Sequence, residues 1–376
     1  MYKILHFADL HLDTSFARKG MTSSVARLRR EELRTALKNI IGKAAELGVN
    51  AITVGGDLYE HDRVSSDTVN FLRAQFAAAA PLPILIAPGN HDPFLPSSPY
   101  RLNDWPTNVF IFSDTELTPK PLDTGITLWG AAHNSPSFRR NLFENFKTPE
   151  NGTHLALLHA SDITCVPSGK ETHCPFSRDQ IAQTGISFAL LGHYHKSSLF
   201  PQIKPLYGYP GSPEPLGFDE DGPHHILLVE IDGKVVNPRL IPINVVDYHT
   251  IAIDTSEATS IENIKQSVKN TIAHEHLNKS LVRVFLKGIL NPDVSINLVK
   301  SIVDDCHEAC RFMEVEDHTI APYDIETLKD ERTVRGAFVR KISAYLDVCS
   351  AEEKRIGEQA LIFGLRALDG KEIELL

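Results

Sequence analysis

Aspartate, asparagine and histidine side chains recur in this sequence directly after short apolar runs that are typical of β-strands. The first such run, Tyr2–Ala8, is followed by Asp9 and His11. Later apolar runs lead in the same way into further acid, amide and imidazole groups: Asp57, Asn90, His91, His159, His193 and His195. The strands of an α/β fold place their ligand groups beyond their carboxyl ends. We therefore expect two carboxylates, one amide and five imidazoles at one edge of a sheet.

This combination of side chains is typical of a metal centre. Oxygen and imidazole donors without thiolates suit a Mn, Fe or Zn dication. The i, i+2 spacing of Asp9/His11 and of His193/His195 aims two ligands the same way from an extended backbone. One carboxylate can bridge two metal ions about 3.5–4 Å apart, and such a pair activates a water and screens the charge of a phosphoryl group under attack. Each motif alone is more typical of a surface turn, but their joint occurrence after apolar strands favours the metal centre.

The elements that must position these groups alternate between strand and helix through the first 195 residues, which predicts a layered α/β core. The predicted strands are Tyr2–Ala8, Ala51–Val54, Pro83–Ala87, Leu155–Leu158 and Phe188–Leu191, and the predicted helices are Arg27–Leu47 and Ser65–Ala79. A strand at Ile226–Ile231 follows. The sequence from about residue 249 onward predicts a smaller α+β unit. It contains a strand at Leu281–Leu286, a helix at Val294–Phe312 and a final helix over 350–368 that stops before Gly370.

Composition places the chain among soluble globular proteins. With 376 residues, 42% of them hydrophobic and 23% charged, it is unlike a disordered chain, a coiled coil or a disulfide scaffold. No signal-peptide pattern or long apolar run is seen, and the five scattered cysteines suit a reducing compartment. We therefore expect a cytoplasmic protein that does not enter a membrane. Cys306, His307 and Cys310 form a weak metal pattern, for which packing on one helix face is the alternative.

The net charge of −10 argues against a general binder of nucleic acids, which would usually be basic. The charge is uneven, however. Residues 1–200 hold 19 basic and 19 acidic residues, whereas residues 201–376 hold 19 basic and 29 acidic residues. The excess of acid therefore lies in the second half, where it would face a protein partner more readily than a nucleic acid.

The motifs Asp9-x-His11, Gly56-Asp57, Gly89-Asn90-His91-Asp92, His159 and Gly192-His193-x-His195 resemble those of the calcineurin-like metallophosphoesterases. The resemblance covers most of residues 1–245 and implies a four-layer α/β/β/α sandwich with two divalent metal ions. One ion would be held by Asp9, His11, Asp57 and His195, and the other by Asp57, Asn90, His159 and His193. His91 would contact the phosphate or protonate the leaving oxygen. Asp92 would orient His91 or cap a helix.

A narrower resemblance is to the SbcD-type DNA-repair nucleases and their YhaO-like relatives. It rests on the opening His6-Phe-Ala-Asp-Leu-His-Leu-Asp, on the turn from Tyr209 through Gly217-Phe-Asp-Glu, and on the stretch from Val315 to Thr333-Val-Arg-Gly. It implies exonuclease or endonuclease cleavage of DNA with Mn²⁺ preferred over Fe, Zn or Mg. It also implies an SMC-like coiled-coil ATPase as partner. Archaeal and eukaryotic members usually carry a histidine three residues after the bridging aspartate; here Glu60 stands there and His61 follows, which leaves exonuclease action open.

These implications divide the chain into a nuclease domain (1–245), a DNA-binding capping domain (246–345) and a C-terminal helical tail (346–376) that docks a partner. In the tail, Ile356, Ala360, Phe363 and Ala367 are spaced as an apolar stripe. It would dock on the protein's own core, on the ATPase or on a second protomer in a homodimer.

Phosphate contacts on DNA usually come from basic side chains. The candidates are Arg27, Arg29, Arg30, Arg34, Arg139 and Arg140. A solvated surface is the alternative for each group. Two rival functions also remain: a phosphatase or phosphodiesterase acting on small molecules or phosphoproteins, and a subunit that binds DNA ends with little activity of its own.

Overall fold

A computed structural model describes residues 1–16, 21–166, 169, 171–291, 294, 298–320 and 323–370. The chain forms two compact units, Met1–His249 and Thr250–Leu376. The division falls four residues after the predicted boundary at 245 and keeps the predicted capping and tail segments in one unit. Of the helices in the described part of the chain, none combines the length and apolar character needed to cross a membrane.

Unit 1 contains two six-stranded sheets. The strands of sheet I are β1 (Tyr2–Phe7), β2 (Ala51–Val54), β3 (Ile84–Ile86), β4 (Val109–Ile111), β11 (His225–Asp232) and β12 (Val235–Pro242). They lie in the order β12-β11-β1-β2-β3-β4. The strands of sheet II are β5 (Thr118–Asp123), β6 (Ile126–Gly130), β7 (Thr153–His159), β8 (Phe188–Gly192), β9 (Ser198–Phe200) and β10 (Tyr207–Tyr209). They lie in the order β5-β6-β7-β8-β10-β9.

The two sheets pack face to face around one apolar core. Ile4 and Leu85 of sheet I share this core with Leu157 and Phe188 of sheet II, and all four side chains are buried. The connecting helices are α1 (Ser23–Leu47), α2 (Ser66–Ala78), the short α3 (Pro99–Leu102) and α4 (Arg178–Thr184). Because β1, β2 and β3 run parallel, the crossovers through α1 and α2 cover the outer face of sheet I. The predicted four-layer α/β/β/α sandwich is confirmed.

Unit 2 is a smaller α+β unit. Its three-stranded sheet consists of β13 (Tyr248–Asp254), β14 (Leu281–Lys287) and β15 (Phe312–Asp317). Helices α5 (Ile261–His274) and α6 (Leu298–Cys306) share an apolar core with this sheet. Helices α7 (Ile325–Asp330), α8 (Val334–Leu346) and α9 (Ala351–Leu368) form a second, helical core.

One predicted helix in unit 2 was wrong in extent. The predicted helix Val294–Phe312 ends at Cys306, continues as a 3-10 turn over His307–Ala309, and gives way to a strand at Phe312; residues 295–297 lie outside the described residues. The C-terminal helix exists, and of the alternatives left open for its apolar stripe, docking on the protein's own core does not hold for Ile356. Ile356 is 61% exposed, whereas Leu361 and Leu365 pack in the helical core. Cys306 and Cys310 are buried and free, as expected of cysteines that pack in the core.

Candidate metal centre

The predicted functional side chains lie at one edge of the sandwich because parallel strands end there. Strands β1, β2 and β3 are mutually parallel, and so are β7 and β8. Asp9 and Asp57 follow the first two strands of sheet I, whereas His159 closes β7 and His193 directly follows β8. Both sheets therefore contribute ligands to one site.

The backbones of the two sheets approach each other closely at this edge. The amide of His193 donates to both carboxylate oxygens of Asp9, at 3.1 and 3.0 Å. A Cβ atom on Gly192 would lie 2.2 Å from the carbonyl oxygen of Gly55. Only glycine fits at this crossing, so its presence before the histidine motif has a steric cause.

Several of these residues adopt a backbone conformation that L-residues rarely take. The φ angles are 56° at Asp9, 50° at His11, 53° at Asp57 and 110° at His193. Positive φ at non-glycine residues costs free energy and persists where the surrounding structure imposes it, typically at functional sites. The strain coincides with four of the seven predicted metal ligands.

The side chains of these ligands converge. The Nε2 atom of His159 lies 3.2 Å from Oδ2 of Asp57, and Nε2 of His11 lies 3.7 Å from the same oxygen. The Nε2 atoms of His11 and His195 are 3.3 Å apart. Among the described residues, three groups of three bring one ligand atom from each residue within 4.8 Å of one another: Asp9/His11/His195, His11/Asp57/His91 and Asp9/Asp57/His159.

A cavity of about 290 Å³ opens over these ligands. Its walls include Asp57, Asn90, His193 and His195, together with His91. The structure therefore brings all seven predicted ligands and His91 together at one place, in agreement with the argument from strand ends.

The hydrogen bonds around the histidines leave one nitrogen of each for the centre. Acceptors of the chain engage Nδ1 of His11 (Glu60, 2.8 Å), Nδ1 of His159 (the Gly55 carbonyl, 2.8 Å) and Nδ1 of His195 (Glu220, 2.5 Å). Metal-binding histidines almost always donate their other N–H in this way, which fixes the tautomer and the ring orientation.

Two buried polar atoms at the centre make no well-aligned hydrogen bond within the described residues: Oδ1 of Asn90, and Nε2 of His159, which only faces the Asp57 carboxylate at 3.2 Å. Buried polar atoms are nearly always paired, so each orphan needs an explanation. Both atoms belong to predicted ligands. The donor set of carboxylate, amide and imidazole suits a divalent cation, which would pair both atoms. The residues present therefore fit two such ions.

The electrostatics of the centre show a concentration of charge. Burial alone would raise the pKa of Asp57, but His159 and His11 outweigh it and hold that pKa well below its usual value. Burial opposes protonation of His159, yet Asp57 raises its pKa to about 9. The Asp57 carboxylate thus stays ionised and attracts positive charge, which divalent cations would supply.

Glu60 was singled out from the sequence, but the side chains that it contacts were not predicted. Its carboxylate accepts from Nδ1 of His11 at 2.8 Å and from Nδ1 of His91 at 2.9 Å. Burial lowers and Glu60 raises the pKa of His91, with a net rise to about 9. The backbone amide of its neighbour His61 bonds to the carbonyl of His91 at 2.8 Å.

The expectation that Asp92 orients His91 is wrong, because Glu60 holds that ring. Asp92 is fully buried and accepts from the backbone amides of Asp57, Leu58 and Gly89 at 2.9, 2.8 and 2.6 Å. Its carboxylate ties together the two strand ends that carry Asp57 and Asn90.

Glu220 was missed, although the quoted turn Gly217-Phe-Asp-Glu contains it. Beyond its bond to His195, it accepts from Oγ of Ser212 at 2.9 Å and from the amide of Leu216 at 3.0 Å. An acidic residue in the turn after a predicted metal-binding histidine would have indicated it, because a carboxylate commonly accepts from the ring nitrogen that does not face the metal.

One of the six arginines proposed to contact DNA is excluded from that role. Arg29 is fully buried: it donates to Glu32, to Glu214 at 2.9 Å and to the carbonyl of Pro215 at 2.7 Å. It joins α1 to the turn after the histidine motif and cannot reach a DNA backbone. The other five lie at or near the surface, where Arg34 pairs with Asp67, Arg139 with Glu171 and Arg140 with Glu116, while Arg27 is exposed and Arg30 half-buried.

Comparison with known proteins identifies the class that this fold and centre define. The pattern of the calcineurin-like phosphoesterase family matches residues 2–197, and the chain belongs to that family. It is accordingly a metal-dependent hydrolase of phosphoesters, and the fold implies divalent metal ions.

Among individual relatives, the chain is 24% identical over 323 residues to the uncharacterized metallophosphoesterase YhaO of Bacillus subtilis, which covers 83% of this chain and 78% of that protein. It is 23% identical over 380 residues to the DNA double-strand break repair protein Mre11 of Methanopyrus kandleri, covering 92% and 80% respectively. The solved structure of TT1561 from Thermus thermophilus matches with 14% identity and a TM-score of 0.38, over 64% of this chain and 98% of that one.

Proposed function

We propose that this chain is a two-metal phosphodiesterase that cleaves DNA, with Mn²⁺ as its metal. The observation that carries the proposal is the convergence of seven side chains that fit two cations. Four of them, Asp57, Asn90, His193 and His195, line one cavity together with His91, and the other three appear in the clusters of potential ligand atoms. Support for DNA as substrate comes from the likeness to archaeal Mre11 proteins, whose name assigns them to double-strand break repair.

The proposed ligands divide between two positions. Asp9, His11, Asp57 and His195 would hold one ion. Asp57, Asn90, His159 and His193 would hold the other, with Asp57 common to both sets. When bound, such a pair of ions supplies a nucleophile at neutral pH and neutralises charge on the phosphoryl group.

His91 is the proposed acid of the reaction. Glu60 fixes its ring through Nδ1, which leaves Nε2 for the substrate. Because the raised pKa keeps this imidazole protonated at neutral pH, it can contact a phosphoryl oxygen or give a proton to the leaving oxygen.

Exposed arginines are the proposed backbone contacts. Arg139 lies on the same side of the cavity as its ion-pair partner Glu171, which lines the wall. Arg27, Arg30, Arg34 and Arg140 are further candidates. Ion pairs between exposed residues are worth little, so DNA phosphates can displace the carboxylates of Asp67, Glu116 and Glu171.

A partner is also proposed: an SMC-like coiled-coil ATPase, or a second protomer, docking on the C-terminal helices. The supporting observation is that Val348 and Ile356 are 82% and 61% exposed. Contiguous exposed apolar surface marks docking sites, and the proposal takes these two side chains as part of one.

A metal-dependent cleavage assay tests the proposal. Wild-type protein loaded with Mn²⁺ is incubated with labelled linear, hairpin and circular single-stranded DNA, beside Asp57→Ala as the inactive control. We expect cleavage by the wild type alone. Absence of cleavage beyond that of Asp57→Ala in fully loaded protein would refute DNA as the substrate.

A small phosphoester is the second candidate substrate, favoured by the modest cavity and by the carboxylate of Glu171 in its wall. Turnover of bis(p-nitrophenyl) phosphate without cleavage of any DNA would support it. A third possibility, a DNA-end-binding subunit with little activity, would show salt-dependent DNA binding that Asp57→Ala leaves unchanged.

A further inference from the structure

His173 lies in the wall of the cavity and has no assigned task. The backbone of His173 itself is held by two hydrogen bonds to Ser161. The amide of His173 donates to Oγ of Ser161 at 2.8 Å, and its carbonyl accepts from the amide of Ser161 at 2.8 Å. The ring is therefore presented to the cavity by a fixed backbone.

The ring of His173 is buried, yet it makes no hydrogen bond to the described residues. The residue is only 6% exposed, and no hydrogen bond to its ring is found within the described residues; Nδ1 is in addition shielded from solvent. The neighbouring rings of His159 and His193 differ, because chain carbonyls engage one nitrogen of each at 2.8 and 2.9 Å. A polar ring in the wall of a reaction cavity that has no partner within the described residues is open to hydrogen bonding by a bound ligand.

The geometry does not favour a metal as that partner. The ring centroid of His173 lies 5.2 Å from that of His193 in a T-shaped contact, at the edge of the ligand cluster. Within the described residues, the groups of side chains close enough to share a cation do not include His173. It also lacks the chain acceptor that His11, His159 and His195 have.

We propose that His173 is a substrate-contacting residue, whose ring N–H donates to a non-bridging oxygen of the phosphoester bound in the cavity. The inference rests on the proposed function. A neutral imidazole has one N–H and one acceptor nitrogen. Placing the proton on Nε2 leaves the shielded Nδ1 without a proton and gives the cavity a donor. Together with His91, it supplies two imidazole donors to an anion whose other neighbours in the wall include the carboxylates of Asp57 and Glu171.

Two substitutions separate this role from a merely structural one. His173→Leu keeps much of the volume but removes the donor, whereas His173→Gln restores an N–H donor near the position of Nε2. His154→Leu is the matched control, because His154 is equally buried in the same unit but its ring bonds to Trp129 and the Asn151 carbonyl. Melting temperature and bound Mn²⁺ are measured for every variant.

The readouts are the affinity of Mn²⁺-loaded protein for inorganic phosphate, by calorimetry, and KM and kcat for bis(p-nitrophenyl) phosphate. Loss of a hydrogen bond to a charged group predicts phosphate binding about 10- to 100-fold weaker in His173→Leu, with a raised KM and unchanged metal content. His173→Gln should recover most of the affinity. His154→Leu should leave phosphate affinity unchanged.

Wild-type phosphate affinity and KM in His173→Leu would overturn the proposal, and so would loss of one Mn²⁺, which would make His173 a ligand. Failure of the proposed function is distinguishable. A wild type that turns over the diester but cleaves no DNA refutes DNA as the substrate, and the His173 variants still test the phosphate contact. A wild type that neither binds phosphate nor turns over the diester overturns both proposals.

Discussion

Glu220 is predicted to control metal affinity although it is not itself a ligand. Its carboxylate accepts the Nδ1 proton of His195 at 2.5 Å, which leaves Nε2 of that ring unprotonated and directed at Asp9 and His11. Burial would raise the pKa of Glu220, but the bond to His195 outweighs it and lowers that pKa to about 2. The acid is thus ionised at every pH at which the centre would be loaded.

Glu220→Gln removes this charge with little change of shape. The amide can accept from His195 through its oxygen, but its NH₂ group then faces the amide of Leu216, which loses its acceptor. Loss of such a partner typically costs about 10- to 100-fold in metal affinity, equivalent to about 1.4–2.7 kcal/mol. We therefore expect the Mn²⁺ dissociation constant of one of the two sites to rise by that factor.

Calorimetric titration of metal-free protein with Mn²⁺ measures this directly. Asp219→Asn is the matched control, because it removes one negative charge from the exposed neighbouring residue. His195→Ala gives the full loss of a ligand. If Glu220→Gln binds both ions as the wild type does while His195→Ala loses one, the reasoning that the carboxylate orients the ring is refuted.

Three further outcomes are expected. Glu60→Gln should lower the pKa of His91 from about 9 toward its ordinary value, because the hydrogen bond from His91 to the Glu60 carboxylate, which outweighs the effect of burial, is weakened. The alkaline limb of the pH–rate profile should then move to lower pH, and an unmoved limb would contradict the assignment of His91 as the acid. Asp92→Ala should reduce the free energy of unfolding in urea by about 2–4 kcal/mol, since buried amides lose their acceptor; a loss below about 1 kcal/mol would show that water replaces the carboxylate. Arg29→Met should lower the free energy of unfolding by about 3–5 kcal/mol, because the buried Glu214 carboxylate loses its ion-pair partner. The salt dependence of DNA binding should stay unchanged, and a shallower dependence would show that Arg29 does contact a DNA phosphate.

The convergence of the centre could be predicted from sequence because it depends on strand ends. Parallel strands direct their carboxyl ends to one edge, so apolar runs followed by Asp9, Asp57, Asn90, His159 and His193 were enough to place these residues together. The positions of β2 and of the C-terminal helix followed from periodicity in the same way.

What could not be predicted depends on contacts between distant segments. Glu220 reaches His195 through a turn 25 residues later in the chain, and Arg29 is buried by Glu214, which lies 185 residues away. An arginine on an amphipathic helix is usually solvated, so local pattern favoured the wrong environment for Arg29. The partner of the apolar stripe on the last helix was likewise left open, because spacing alone does not decide which face, that of Ile356 or that of Leu361, meets the neighbouring helices.

The bond between Asp9 and the amide of His193 joins residues 184 positions apart, and this has a consequence for how the protein folds and persists. Contacts between residues this far apart are slow to form, because the entropy of closing a long loop must be overcome first, and the pairing of β1 with β11 shares this property. Cations that bind only the closed arrangement stabilise it by mass action, by about 2.7 kcal/mol per site at a hundredfold excess over the dissociation constant. The concentration of free divalent metal would then set both the catalytic readiness of the centre and how firmly the two sheets are held together at this edge.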